Sequence, residues 1–152
     1  MSRPAKLAAV RYYVDADVLG LAKILVQVRG DITYPGDLGA TVRGGRVRPP
    51  CPITTPATLD QVWIPETARR GWLIITRDRH IQDHEAEVAA VRDHGARMIA
   101  LAAKEATTTW HQLETVLCQW RSIERLSETP GPFIYTATRT ALRPVLAPTG
   151  RV

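Results

Sequence analysis

Two rhythms of apolar residues alternate along this chain. Ala8 to Val14 (AAVRYYV) is an apolar, aromatic and β-branched run that stops at Asp15, the pattern of a buried parallel strand. From Val18 to Arg29 the apolar positions 18, 21, 22, 25 and 28 keep helical spacing, with Asp17 placed as N-cap and Gly30 as a left-handed stop. Thr33 to Thr58 then gathers five prolines and four glycines, which predicts loop with a short hairpin across Gly44-Gly45. Leu59 to Arg70 predicts a second helix with Leu59, Val62, Trp63 and Ala68 on one face, Pro65 in its first turn or at a kink, and a stop at Gly71. Trp72 to Thr76 reads as a buried strand ended by Arg77-Asp78-Arg79-His80, Ile81 to His94 as a polar helix stopped by Gly95, and Arg97 to Leu101 as a third strand. Thr109 to Leu126 gives the clearest helix: Thr109 and Gln112 fit a capping box, and Trp110, Leu113, Val116, Leu117, Trp120 and Ile123 repeat as a core stripe. Beyond Pro130-Gly131-Pro132, Phe133 to Thr138 has strand composition and predicts a basic terminal strand or hairpin.

Strands alternating with helices imply an α/β fold, a mostly parallel sheet flanked by helices, with its site at the carboxyl ends of the strands. The length of 152 residues suits one domain, read as an α/β body over residues 1–127 with the terminal strand or tail of 128–152 packed on it. No apolar run approaches the roughly 20 residues of a membrane-spanning helix, and Arg11 interrupts Leu7 to Val10 too early for a signal-peptide core. Cys51 and Cys118 lack metal-ligand spacing, so a reducing cytoplasm is expected. Twenty basic residues against fifteen acidic give a net charge of +5, and the basic set is 17 Arg to 3 Lys. Guanidinium groups grip phosphate through paired hydrogen bonds, so the balance is compatible with a nucleic acid partner.

Against that basic background the positions of the acids carry the chemical information. Asp15 and Asp17 follow the first strand, Asp78 follows the Trp72 to Thr76 strand, and Asp60 opens the helix before it. If those strands are parallel neighbours, Asp15 and Asp78 meet at one sheet edge with Asp17 and Asp60 beside them. Clustered carboxylates raise one another's pKa unless a cation neutralises them, and an all-oxygen donor set selects Mg²⁺ or Mn²⁺ over zinc. Each acid also has a plain structural alternative: Asp17 as a helix cap, Asp60 as a helix-start acid, Asp78 as a cap for the next helix.

These blocks, Val14-Asp15-Ala16-Asp17, Asp60-Gln61-Val62-Trp63 and Gly71 to Asp78, carry a resemblance to the PIN-domain nucleases, particularly the PIN-like branch of VapC-type toxins. Residues 10 to 101 share it. The resemblance implies a Rossmann-like PIN fold and an endoribonuclease that hydrolyses phosphodiesters with Mg²⁺ or Mn²⁺ held by Asp15, Asp60 and Asp78, supported by Asp17 and Thr76. It also implies an RNA substrate, an antitoxin protein as cognate partner, and a homodimer. Two departures stand out: His80 occupies the place of the family's second Asp in Thr-x-Asp-x-Asp, and only Asp31 and Asp37 fall where many members carry a glutamate. Arg77, Arg79 and His80 beside the site, and Arg43, Arg46 and Arg48 in the Pro/Gly loop, are candidate RNA contacts. Two other readings remain open: a PIN-like module that binds RNA or protein without full activity, and a haloacid dehalogenase-like phosphatase suggested by Asp15-Ala16-Asp17. A receiver-like module fails because Thr54 to Leu59 is not the apolar strand that should precede a phosphoacceptor at Asp60.

Overall fold

The computed structural model describes residues 6–42, 45–78 and 84–148, and the side chains of residues 41 and 42 are not described. Along the described chain run β1 (Lys6–Leu7), β2 (Tyr12–Val14), a 3-10 turn (Ala16–Val18), α1 (Leu19–Val28), β3 (Ile32–Thr33), β4 (Ala40–Val42) and β5 (Arg46–Arg48). There follow α2 (Asp60–Arg69), β6 (Leu73–Arg77), α3 (Glu85–His94), β7 (Arg97–Leu101), α4 (Thr109–Ser127), β8 (Phe133–Ala137) and β9 (Leu142–Leu146). The main sheet has the order β3-β2-β6-β7-β8-β9, parallel except for β9. The Pro/Gly segment forms the expected hairpin, β4 antiparallel to β5, and β1 joins β5 to make a separate three-stranded sheet.

Period-two alternation divides the main sheet into two apolar faces. Tyr12, Val14, Leu73, Ile75, Ile99, Leu101 and Phe133 pack with α1 and α4, while Tyr13, Ile74, Met98 and Ile134 pack with α2 and α3. On the second face Tyr13 stacks on Trp63 at 5.3 Å and on Trp72 at 6.3 Å. On the first, Tyr12 meets Trp120 at 5.0 Å and Arg29 lies over the same indole at 4.4 Å.

The chain steps from β2 outward to β3 and only then returns to β6 on β2's other side. The strand order therefore reverses between β2 and β6, and a crevice opens at their carboxyl ends. This topology positions the site.

Several expectations need correction. The first strand is confined to Tyr12–Val14, and α1 begins at Leu19 after a 3-10 turn that Asp15, not Asp17, caps by accepting from the Ala16 N–H at 2.6 Å. The residue after α1, Arg29, is extended, so Gly30 is not a left-handed stop, whereas Gly71 and Gly95 are, with φ of 72° and 69°. In α2 the buried residues are Trp63, Ile64 and Thr67; Leu59 and Val62 face solvent, because helical spacing alone does not say which face meets the sheet. Pro65 lies within that helix, where exposed Gln61, whose carbonyl loses its partner, can hydrogen-bond water. The cap of α4 is Thr108, accepting from the His111 N–H at 3.1 Å, and the predicted capping-box residue Gln112 instead donates to the Ala106 carbonyl. Within the α4 stripe Trp110 and Leu117 are exposed, while Val116 and Ile123 are buried. The third helix is described from Glu85, and its expected start at Ile81 lies outside the described residues.

Candidate active site

Where β2 ends, the backbone N–H of Asp15 still donates to the Ile75 carbonyl of β6 at 2.9 Å, so its side chain emerges at the crevice. One carboxylate oxygen caps the 3-10 turn, and the other accepts from the Thr76 hydroxyl at 3.1 Å. Asp17 lies within the same hydroxyl's reach at 3.1 Å and also accepts from the Arg77 N–H at 3.2 Å. A single hydroxyl proton thus bridges two carboxylates, which fixes both at the end of β6. Asp60, the first residue of α2, is oriented by the indole N–H of Trp63, which donates to it at 2.9 Å.

These three aspartates share a cleft of about 210 Å³ with Thr76, Arg77, His84 and Glu87. His84 Nδ1 lies 3.4 Å from the Glu87 carboxylate. Burial and then the neighbouring Asp17 push the Asp15 pKa up to about 7. Burial, and next the charge of Asp60, raises that of Glu87. Burial also raises the Tyr13 phenol beneath, with Asp15 as the second cause. Four acids face Arg77 and His84, so the cleft concentrates negative charge in a protein that is basic as a whole.

The sequence reading expected Asp78 to meet Asp15 at the sheet edge. Asp78 continues the β6 ladder, its N–H donating to the Leu101 carbonyl at 2.7 Å, while its carboxylate accepts from Thr136 of β8 at 3.2 Å. Asp78 is buried, and its hydrogen bond to Thr136 places one carboxylate oxygen toward β8. Glu87 takes a place in the acidic set that the sequence reading did not assign. Its signal was faint: an acid in the first turn of a polar helix, ordinarily explained by the helix dipole. Among the described residues no three acidic, histidine or cysteine side chains converge closely enough to hold a metal ion.

Of the basic candidates, Arg77 lines the cleft, and Arg46 lies on β5 beside a separate hollow with Arg29 and Asp31. Arg48, expected as a loop contact for RNA, is instead buried in an ion pair with Asp37, which also accepts from the Thr33 hydroxyl at 3.1 Å. Arg43, Arg79 and His80 lie outside the described residues.

Residues 32–103 match the family model described as "PIN like domain". That segment, somewhat under half of the chain, is similar to a PIN-like domain. The chain's α/β architecture, a mostly parallel sheet flanked by four helices among the described residues, is the PIN-like fold expected from the sequence. A curated relative, "Putative ribonuclease VapC45" of Mycobacterium tuberculosis (strain ATCC 25618 / H37Rv), is 31% identical over 77 residues. That match covers 51% of this chain and 55% of the relative, so the chain spans about half of the relative's length. No solved structure matches the chain significantly.

Proposed function

We propose that this PIN-like chain is a metal-dependent endoribonuclease and the toxin of a toxin–antitoxin pair. The observation that carries the reading is the acidic cleft at the β2–β6 switch point, where a largely buried Asp15 shares one threonine hydroxyl with Asp17 and faces Asp60 and Glu87. Such a donor set is all oxygen apart from His84, and clustered carboxylates favour a hard divalent cation. As they stand these side chains are not gathered into a three-ligand site. A Mg²⁺ or Mn²⁺ ion in the cleft would draw on Asp15 and Asp60 after they move together, and would supply water activation and charge stabilisation at phosphorus. Thr76 keeps Asp15 and Asp17 aligned through its hydroxyl, Arg77 offers a cation to an approaching phosphate, and His84, paired with Glu87, is a proton carrier at the cleft mouth. Asp78 supports from the adjoining strand, tied to Thr136.

The lack of three converging ligands among the described residues favours a second reading, a PIN-like module that binds RNA without cleaving it. One assay separates the two. A single-stranded RNA is incubated with the protein in Mn²⁺, in EDTA, and with the Asp15→Asn and Asp60→Asn variants. The nuclease reading expects cleavage in Mn²⁺ alone, with losses of about 100-fold or more in either variant. RNA left intact in Mn²⁺ while still retained by the protein would move the assignment to the binding module. A VapB-like antitoxin and a homodimer follow from the same family reading and are tested by coexpression and by light scattering.

A further inference from the structure

A second hollow, of about 560 Å³, opens beside the acidic cleft at the same carboxyl edge of the main sheet. Its walls include Leu19 and Lys23 of α1, Tyr34 directly after β3, Leu38, Arg48 and Thr54. Leu19 of the hollow follows directly on the 3-10 turn Ala16–Val18, which carries Asp17 of the cleft. The two are neighbours across β2, yet their chemistry is opposite. The cleft is acidic; the hollow presents an exposed Lys23, a half-buried aromatic ring at Tyr34 and an almost fully exposed Leu38.

Hydrogen bonds and an ion pair tie Asp37, on the wall of this hollow, to its surroundings. Asp37 accepts from the Thr33 hydroxyl and the Gly39 N–H while pairing with Arg48, and its carbonyl accepts from the Cys51 N–H at 2.8 Å. Gly39 has φ +81°, and a Cβ there would collide with the Arg48 carbonyl oxygen, so only glycine fits. Arg48 is 3% exposed, and its buried Nε has no hydrogen-bond partner.

We propose that this hollow is the subsite for the nucleotide next to the scissile bond of a single-stranded RNA. Tyr34 stacks on the base, Lys23 pairs with the phosphate, and the Asp37–Arg48 wall closes the far side. An acidic cleft repels a polyanion, so a cation and a stacking ring one step away supply the attraction that the cleft cannot. The volume falls within the range of about 300–1,000 Å³ usual for small-molecule sites. This inference rests on the ribonuclease reading of the neighbouring cleft.

Binding is measured in EDTA, where no metal-dependent cleavage intervenes, by anisotropy of a fluorescent short single-stranded oligoribonucleotide. Tyr34→Ala and Lys23→Glu are each expected to weaken binding about tenfold, and Tyr34→Phe, which keeps the ring, to bind as the wild type does. Lys23→Glu should also flatten the dependence of log Kd on log salt by about 0.7 or more. Melting temperatures establish that the variants are folded. Unchanged affinity in folded Tyr34→Ala and Lys23→Glu overturns the subsite, as does a wild type that binds no oligonucleotide. The Mn²⁺ cleavage assay judges the nuclease separately. Cleavage with unaltered binding in both variants removes the subsite and leaves the nuclease standing; binding that depends on Tyr34 and Lys23 without cleavage does the reverse.

Discussion

At the scale of single residues, Asp15 is placed where its charge is least welcome. Because burial and Asp17 raise its pKa from 3.8 to about 7, the folded protein holds a proton that the unfolded chain releases, and stability falls as pH rises across that window. Asp15→Asn should therefore raise the melting temperature by several degrees above about pH 7 and leave it unchanged below about pH 4. Thermal melts of both proteins across that range, without divalent metal, check this, and a destabilised variant at high pH would contradict it. Arg48 and Asp37 illustrate the opposite case. Both side chains are nearly inaccessible, at 3% and 1%, so Arg48→Ala leaves a buried carboxylate without its counter-charge and should cost about 3–5 kcal/mol in urea unfolding. The sequence could not reveal that pair: an arginine in a Pro/Gly-rich segment looks solvated, and only the return of β5 beside β3's exit buries it against an acid eleven residues away.

At the scale of elements, the period of each helix was legible but its orientation was not. Trp110 and Leu117 keep the α4 spacing and still face solvent, because α4 needs only Val116, Ile123 and their neighbours to cover the sheet. Trp110→Ser is accordingly expected to change stability by no more than about 0.5 kcal/mol, whereas Trp63→Ala, which empties the stack under Tyr13 and frees Asp60, should cost about 3–5 kcal/mol. The cap of α4 gives a finer test. Thr108→Ala removes the acceptor of the His111 N–H and should lower stability by about 1 kcal/mol, or roughly 2–4 °C in a chain of this size, while Thr109→Ala should not do so through capping. The strands were read closely where both faces are buried, as in Arg97–Leu101, since a continuous apolar run leaves few alternatives. Ala8 to Val14 was read too long because apolar composition does not show where β2 gains its partners, and pairing with β3 and β6 begins only at Tyr12.

At the scale of the whole molecule, β8 completes the body that precedes it. Phe133 and Ile134 are fully buried on opposite faces of the sheet, and β8 pairs with β7 along its full length. A chain ending at Ser127 should lose cooperative unfolding and bind a hydrophobic dye, since it exposes both residues' pockets and the β7 edge. The acidic cleft gives a second global test. Mn²⁺ should raise the melting temperature of the wild type in proportion to the logarithm of its concentration, and much less in an Asp15→Asn/Asp60→Asn double variant. What the sequence determined was the alternation of strands and helices, the PIN resemblance, and the placement of Asp15, Asp17 and Asp60 at element ends, because local patterns of charge and hydrophobicity are written residue by residue. Which acids share a cleft was decided by strand order and side-chain direction. The reversal between β2 and β6 brings Asp15 and Asp17 to Thr76, and α2 and α3 add Asp60 and Glu87, while Asp78, two residues past Thr76, turns to Thr136 on β8. Such neighbours are separated by dozens of residues in the chain, and only packing of both sheet faces fixes the distances between them.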